Sequence, residues 1–134
     1  MSKLTDIEGV GGSYAKKLRG AGILGVGSLL KKCASKADRK AIAEKTGISN
    51  ALLLRWVNHA DLFRVTGIGG EYAELLEAAG VDSVPELAQR VAESLYQKIV
   101  DVNRTKRLVR KLPVQSQVAD WIKQAKALPK IVTH

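Results

Sequence analysis

The strongest constraint on what this 134-residue chain can fold into is an internal repeat. Residues 7–15 read Ile-Glu-Gly-Val-Gly-Gly-Ser-Tyr-Ala, and residues 65–73 read Val-Thr-Gly-Ile-Gly-Gly-Glu-Tyr-Ala, so the two segments match at an offset of 58. The match continues beyond them through leucine, alanine, glycine and valine positions. Self-similarity of this kind is typical of units built to one structural plan.

A second match relates the ends of the two copies. Residues 56–63 begin with Trp-Val and residues 121–128 begin with Trp-Ile, at an offset of 65 rather than 58. The second copy therefore carries seven additional residues, which we expect in the basic stretch 104–111. We predict two consecutive repeats, over residues 1–64 and 65–134.

Both copies have the composition and spacing of short helices, so we predict an all-α fold. Aromatic residues are only 4% of the chain, while alanine, leucine and lysine, which favour helices, are abundant. In the first copy we expect helices over 13–20 and 26–34, a third between Ser35 and Gly47, and a fourth over 50–63. Four serines precede predicted helices and are expected to act as N-caps: Ser35, Ser49, Ser83 and Ser116.

The last helix of each copy carries apolar residues at intervals of three and four, which predicts one buried face. Trp56 and Trp121 lie on these faces and are expected to anchor the core; a role in nucleotide stacking is the alternative. Cys33 stands among apolar positions and is expected to be a small core residue. His59 lies beside the core face of its helix and is expected to be structural.

A Gly-hydrophobic-Gly turn precedes the first helix of each copy, at residues 9–11 and 67–69. Glycine tolerates positive φ and has no Cβ to obstruct a ligand, so we expect positive φ in these turns, including Gly11. Val10 and Ile68 should be buried and hold the turn against the core. The unpaired amides of the following helix then form a site where an anion can meet the positive end of the helix dipole.

These turns resemble the helix-hairpin-helix motif, in which Gly-hydrophobic-Gly is followed at a short interval by alanine. Over residues 4–132 the chain resembles a bacterial tandem helix-hairpin-helix family, catalogued as the domain of unknown function numbered 4332. The resemblance implies non-sequence-specific binding to nucleic-acid backbones, with turn amides and nearby basic side chains on phosphates. It also allows a monovalent cation at a turn, and it implies no other cofactor. The phrases that carry it lie at 4–9, 56–62, 72–81 and 120–129.

The chain departs from this motif in two ways. Gly12 and Gly70 occupy positions where many such motifs have proline, which predicts looser turns. Residues 2–7 leave room for hardly one helical turn before the first hairpin. We therefore expect the first hairpin to be incomplete, unless a later helix packs in place of the missing one.

Charge distinguishes the two copies. The chain carries a net charge of +9, with 12 basic and 5 acidic residues in 1–64 but 10 basic and 8 acidic residues in 65–134. Such a balance favours a polyanionic partner. The helix after the second turn is acidic where the first is basic, through Glu71, Glu74 and Glu77. The predicted nucleic-acid-binding residues are Gly9, Gly11, Gly12, Ser13, Lys16, Lys17, Arg19, Arg104, Arg107 and Arg110.

Two classes of function stay open. The first is a binding protein for nucleic acid, with DNA expected, held through the first hairpin. The second is a protein-interaction module that has kept the fold without nucleic-acid binding, and the acidic second hairpin favours it. In that case Lys16, Lys17 and Arg19 form an ordinary solvated face. A mixed role, with one hairpin for DNA and one for a protein, is compatible with both.

Other classes find little support in the sequence. No Ser-His-Asp order, marked carboxylate pair, dinucleotide fingerprint or P-loop is present, so we expect no enzyme. One cysteine and two histidines offer no metal-ligand pattern. We expect a cytoplasmic protein, because the chain has neither a secretory signal nor an apolar stretch long enough to cross a membrane.

Overall fold

The computed structural model describes residues 2–134, and these form α-helices, one short 3-10 helix and no β-strand. The all-α prediction is confirmed. The 3-10 helix spans Leu4–Asp6, and the α-helices are α1 (Gly12–Gly20), α2 (Val26–Lys32), α3 (Lys36–Thr46), α4 (Asn50–Leu62), α5 (Gly70–Ala78), α6 (Val84–Ala88), α7 (Ala92–Lys106) and α8 (Gln115–Ala127). Within residues 2–134, none of these helices combines the length and apolar character that a membrane span requires.

The chain forms two compact units. The first unit runs to Asp61 and takes in Ile131–His134, and the second unit is Leu62–Lys130. The sequence repeats were expected over 1–64 and 65–134, and they are defined by resemblance between segments. The compact units are defined by contacts, so the boundary falls at 61 rather than 64, and the second unit ends at 130 rather than 134. The last four residues belong by their contacts to the first unit, which no sequence pattern indicated.

Capping residues explain where several helices begin and end. Ser35, Ser49 and Ser83 each accept a hydrogen bond from the amide three residues further on, at 3.1, 3.2 and 3.4 Å. Gly47 ends α3 in the left-handed conformation, with φ of +76°. These four predictions are confirmed, because short polar side chains and glycine satisfy the terminal groups that a helix leaves unpaired.

The prediction for Ser116 is wrong. Helix α8 begins one residue earlier, at Gln115, and its N-cap is Val114, whose side chain cannot accept a hydrogen bond. Ser116 therefore lies inside the first turn. The apolar stripe of α8 is long enough to fix its position by packing, so no capping side chain is needed.

The second unit is larger than the matching part of the first in one region. Helix α7 has 15 residues, whereas α3, which follows the corresponding short helix of the first unit, has 11. The connection to the last helix is also longer, over 107–114 in the second unit and 47–49 in the first. The additional residues expected near 104–111 thus extend both a helix and the loop after it.

Each unit has a core centred on one tryptophan. In the first, the Trp56 ring meets the Tyr14 ring edge-on, with centroids 5.0 Å apart. In the second, α5 packs against α7, and α6 and α7 pack against α8, which brings Trp121 to within 5.3 Å of the Tyr72 ring. Val10 and Ile68 are also buried. The predicted core anchors are confirmed.

Candidate nucleic-acid interface

The turn before α1 depends on Gly9. Its φ is +90°, a conformation that side chains with a Cβ rarely adopt. The Val10 amide donates to the Ile7 carbonyl at 3.1 Å, and the Val10 side chain is buried. The chain therefore reverses at Gly9, and Val10 fastens the turn to the core as predicted.

The prediction of positive φ at Gly11 is wrong. Gly11 is the N-cap of α1, with φ of −83° and ψ of −179°, which is extended backbone open to any residue. A Cβ at Gly11 or Gly12 would meet no atom within 4 Å. The reversal is already complete at Gly9, so glycine at these two positions keeps the surface open without being required by the backbone.

Helix α1 begins without a capping side chain. Gly11 has none to offer, and Gly11, Gly12 and Ser13 are all exposed. The first hydrogen bond into the helix is donated by Ala15 to the Gly11 carbonyl at 2.9 Å. The amides of the first turn and the positive end of the helix dipole therefore face solvent, where an anion can approach them.

The basic residues of α1 lie outside its buried face. Ala15 and Leu18 are buried, while Lys16, Lys17 and Arg19 are exposed. Lys17 Nζ lies 5.8 Å from the centroid of the Tyr14 ring, within range of a cation–π interaction. The seven candidates between Gly9 and Arg19 are all exposed, and we call them together the α1 surface.

Lys45, at the end of α3, extends the α1 surface. It lines a depression of about 280 Å³ together with Lys17 and Gly20. Lys45 and Lys17 are brought together by the packing of α1 against α3. No sequence pattern relates these two positions, so their proximity could not be predicted.

The other three candidates belong to the second unit. Arg104 lies in the last turn of α7, Arg107 ends that helix with φ of +50°, and Arg110 follows in the loop. All three are exposed, and Arg104 makes a loose ion pair with Asp101, at 3.8 Å across two largely exposed side chains. We call the exposed basic residues of this region the α7 basic stretch: Arg104, Lys106, Arg107, Arg110 and Lys111.

Two side chains hold the loop of the α7 basic stretch in place. Asn103 exchanges two hydrogen bonds with the Val109 backbone, at 3.0 and 3.1 Å. The Tyr72 hydroxyl donates to the Lys111 carbonyl at 3.0 Å. Because Tyr72 lies in the first turn of α5, this bond brings the basic loop beside the second hairpin, a proximity that sequence reasoning missed.

The second hairpin repeats the backbone of the first with different charge. Gly67 has φ of +100°, Ile68 is buried, and Gly69 is an N-cap without a capping side chain. Glu71 is exposed in the first turn of α5, where its carboxylate is itself favoured by the helix dipole. The start of α5 therefore carries an anion of its own.

The described residues offer little for catalysis or metal binding. Across residues 2–134, no three His, Cys, Asp or Glu side chains lie close enough to share a metal ion. Cys33 is fully buried, and burial raises its pKa from 9.0 to about 11. A thiol with this pKa is largely protonated at neutral pH and is a poor nucleophile. Cys33 is a core residue, as predicted.

Fold and surface together define an all-α protein of two compact helical units, the first with a basic surface at a helix N-terminus. The chain belongs to the family described as Domain of unknown function (DUF4332), whose profile matches residues 8–128. No curated protein and no solved structure matches the chain.

Proposed function

We propose that this protein binds the backbone of nucleic acid, DNA in the first place, through the α1 surface, and that its two turns are helix-hairpin-helix hairpins. The observation that carries the proposal is the uncapped start of α1, with exposed amides from Gly11 to Ser13 next to Lys16, Lys17 and Arg19. A phosphate placed there would accept hydrogen bonds from the amides and lie close to three cations.

Such contacts would be indifferent to base sequence. Amides and lysine side chains that contact a phosphate read the backbone and carry no base specificity. Lys45 would lengthen the contact, because it borders the same depression as Lys17. The proposed binding is therefore electrostatic and falls steeply as salt is added.

The α7 basic stretch would supply a second point of contact. Its loop is held by Asn103 and by the Tyr72 hydroxyl, so Arg107 and Arg110 start from a fixed backbone. Less conformational entropy is lost when side chains bind from a fixed backbone. We infer that the second unit contributes through this loop rather than through the acidic face of α5.

A titration of labelled duplex DNA at two or more salt concentrations tests the proposal. With about three to five phosphate contacts, the slope of log affinity against log salt should lie near −3 to −5. The combined change Lys16→Gln, Lys17→Gln and Arg19→Gln should reduce the magnitude of this slope by about 0.9 for each charge that contacts phosphate. A matched control replaces the exposed lysines 123, 126 and 130 by glutamine, with the same change in net charge.

Substitution of the second glycine in each Gly-hydrophobic-Gly turn, Gly11 or Gly69, tests whether phosphate approaches the backbone closely. Gly11 has negative φ and a Cβ there would meet nothing within 4 Å, so in a Gly11→Val variant whose melting curve matches the wild type a loss of binding would report an obstructed approach. Gly69→Val is its control in the second hairpin, since Gly69 also has negative φ and open space. Equal losses of binding at Gly11 and Gly69, or a loss only at Gly69, would show that the assignment of the site to the α1 surface is wrong.

The second candidate function is that of a protein-interaction module. It is favoured by the exposed Glu71 at the start of α5 and by a groove of about 1000 Å³ along α7, where Val91 is exposed and Tyr96 is half-buried. Absence of DNA binding at low salt would favour this function. Loss of binding only when Arg104, Arg107 and Arg110 are neutralised would instead make the α7 basic stretch the site.

A further inference from the structure

A second basic site lies in the first unit, away from the turn before α1. A cavity of about 750 Å³ opens between α3 and α4, a volume within the range of about 300–1,000 Å³ that small-molecule sites occupy. The residues that matter to its chemistry are Lys36, Arg39, Lys40, Asn50, Leu54 and His134.

The charged residues that line this cavity are all basic. Lys36 and Lys40 are exposed, one helical turn apart on α3, and Arg39 lies between them. The cavity also borders the first residue of each helix, Lys36 in α3 and Asn50 in α4, so the positive ends of two helix dipoles add to the side-chain charge. The three basic side chains therefore favour an anionic ligand in this cavity.

Arg39 is a buried cation without a carboxylate partner. Only 4% of its surface is exposed. Its guanidinium donates to the carbonyls of Cys33, Ala34 and Thr133 at 3.0, 2.9 and 2.7 Å, and no acidic side chain among residues 2–134 pairs with it. A guanidinium has five N–H groups, and these three bonds do not use all of them. The carbonyls of Cys33 and Ala34 lie at the C-terminal end of α2 and offset part of the cost of burying this charge, and a bound anion would offset more of it.

The fold does not require a cation at this position. Arg39 is the fourth residue of α3, and the fourth residue of α7 is Leu95, which is 1% exposed in the core of the second unit. A leucine therefore satisfies the same place in the corresponding helix. The guanidinium of Arg39 instead links α3 to the end of α2 and to Thr133, and it places a positive charge at the wall of the cavity.

We propose that the cavity binds a small organic phosphate, with its dianionic phosphate on Arg39, Lys36 and Lys40 and an apolar body against Leu54. Three cations favour a dianion over a monoanionic carboxylate. The apolar body follows from Leu54 and from the size of the cavity, which exceeds what a phosphate alone would fill.

Titration of the isotope-labelled full chain with 1-naphthyl phosphate, followed by NMR, tests this assignment. We expect amide shifts concentrated at the starts of α3 and α4. Inorganic phosphate, which lacks the apolar body, should bind about tenfold more weakly, and 1-naphthol, which lacks the charge, should not bind measurably.

Variants separate this site from the α1 surface. Lys36→Gln with Lys40→Gln should weaken the binding of 1-naphthyl phosphate by about tenfold or more. Lys31→Gln with Lys45→Gln, two exposed lysines of the same unit outside the cavity, should change it by less than about twofold. Lys16→Gln with Lys17→Gln should leave it unchanged, whatever that variant does to DNA binding.

The proposal would be overturned by either of two results. One is an absence of shifts in α3 and α4 at about 1 mM probe, which corresponds to an affinity too weak for a ligand site. The other is equal weakening by the Lys36/Lys40 and the Lys31/Lys45 double variants, which would reduce the effect to net charge. In either case Arg39 serves only to fasten the chain end at Thr133 to the first unit.

Discussion

Replacing Gly9 by alanine should destabilise the first unit, whereas the same change at Gly11 should not. Gly9 has φ of +90°, and an L-residue in the left-handed region costs about 1–2 kcal/mol. A Cβ there would lie 3.5 Å from Trp56 Nε1, which is ordinary van der Waals contact, so the backbone supplies the whole penalty.

The equivalent change in the second unit should be more severe. Gly67 has φ of +100°, and a Cβ there would lie 3.0 Å from Trp121 Nε1. The indole is buried and cannot retreat, so overpacking adds about 1–3 kcal/mol to the conformational cost. At Gly11, with φ of −83° and empty space, alanine should be close to neutral, because it restricts the unfolded chain but is a poorer N-cap than glycine.

Native-state hydrogen exchange is the suitable assay, because it reports the free energy of opening for each unit separately. The expected order of stability is Gly11→Ala, then Gly9→Ala, then Gly67→Ala. The losses should fall in the first unit for Gly9→Ala and in the second for Gly67→Ala. Equal stability of Gly9→Ala and Gly11→Ala, or a milder effect at Gly67 than at Gly9, would refute the reasoning from φ and contact distance.

Three further predictions concern the cores and the α7 basic stretch. Trp56→Ala and Trp121→Ala should each cost about 3–5 kcal/mol as large core truncations, and denaturant midpoints that hardly move would give these residues a surface role. Cys33 should resist thiol reagents in the native protein at pH 8 and react on unfolding. Because its pKa is raised from 9.0 to about 11, its contribution to stability should be complete below pH 9.0 and lost between pH 9.0 and about 11, as urea midpoints against Cys33→Ala would show. Arg107→Gly should stabilise the second unit by about 0.5–1 kcal/mol, since Arg107 has φ of +50°, while Arg107→Gln should bring no gain.

The sequence by itself determined which residues are buried and where most helices lie. Apolar residues at helical spacing identify a buried face wherever they occur, which is why Trp56 and Trp121 were predicted correctly. Serine caps are local signals of the same kind, readable at Ser35, Ser49 and Ser83. Both depend on neighbours within one or two helical turns, so no tertiary structure is needed to recognise them.

The backbone conformation of each glycine in the turn could not be predicted from the sequence. Glycine permits positive φ without requiring it, so the letters Gly-Val-Gly do not say which glycine reverses the chain. In the folded turn Gly9 takes the positive φ and Gly11 is extended, with the buried Val10 between them.

Tertiary structure alone decided which distant residues meet. Tyr72 and Lys111 are joined by packing within the second unit, and Arg39 reaches Thr133 at the other end of the chain. Burial of Arg39 likewise contradicts what a charged residue in a basic run would suggest. Contacts of this range depend on how helices pack against one another, and a charge run that looks solvated in the sequence becomes a cavity wall only once two helices enclose it.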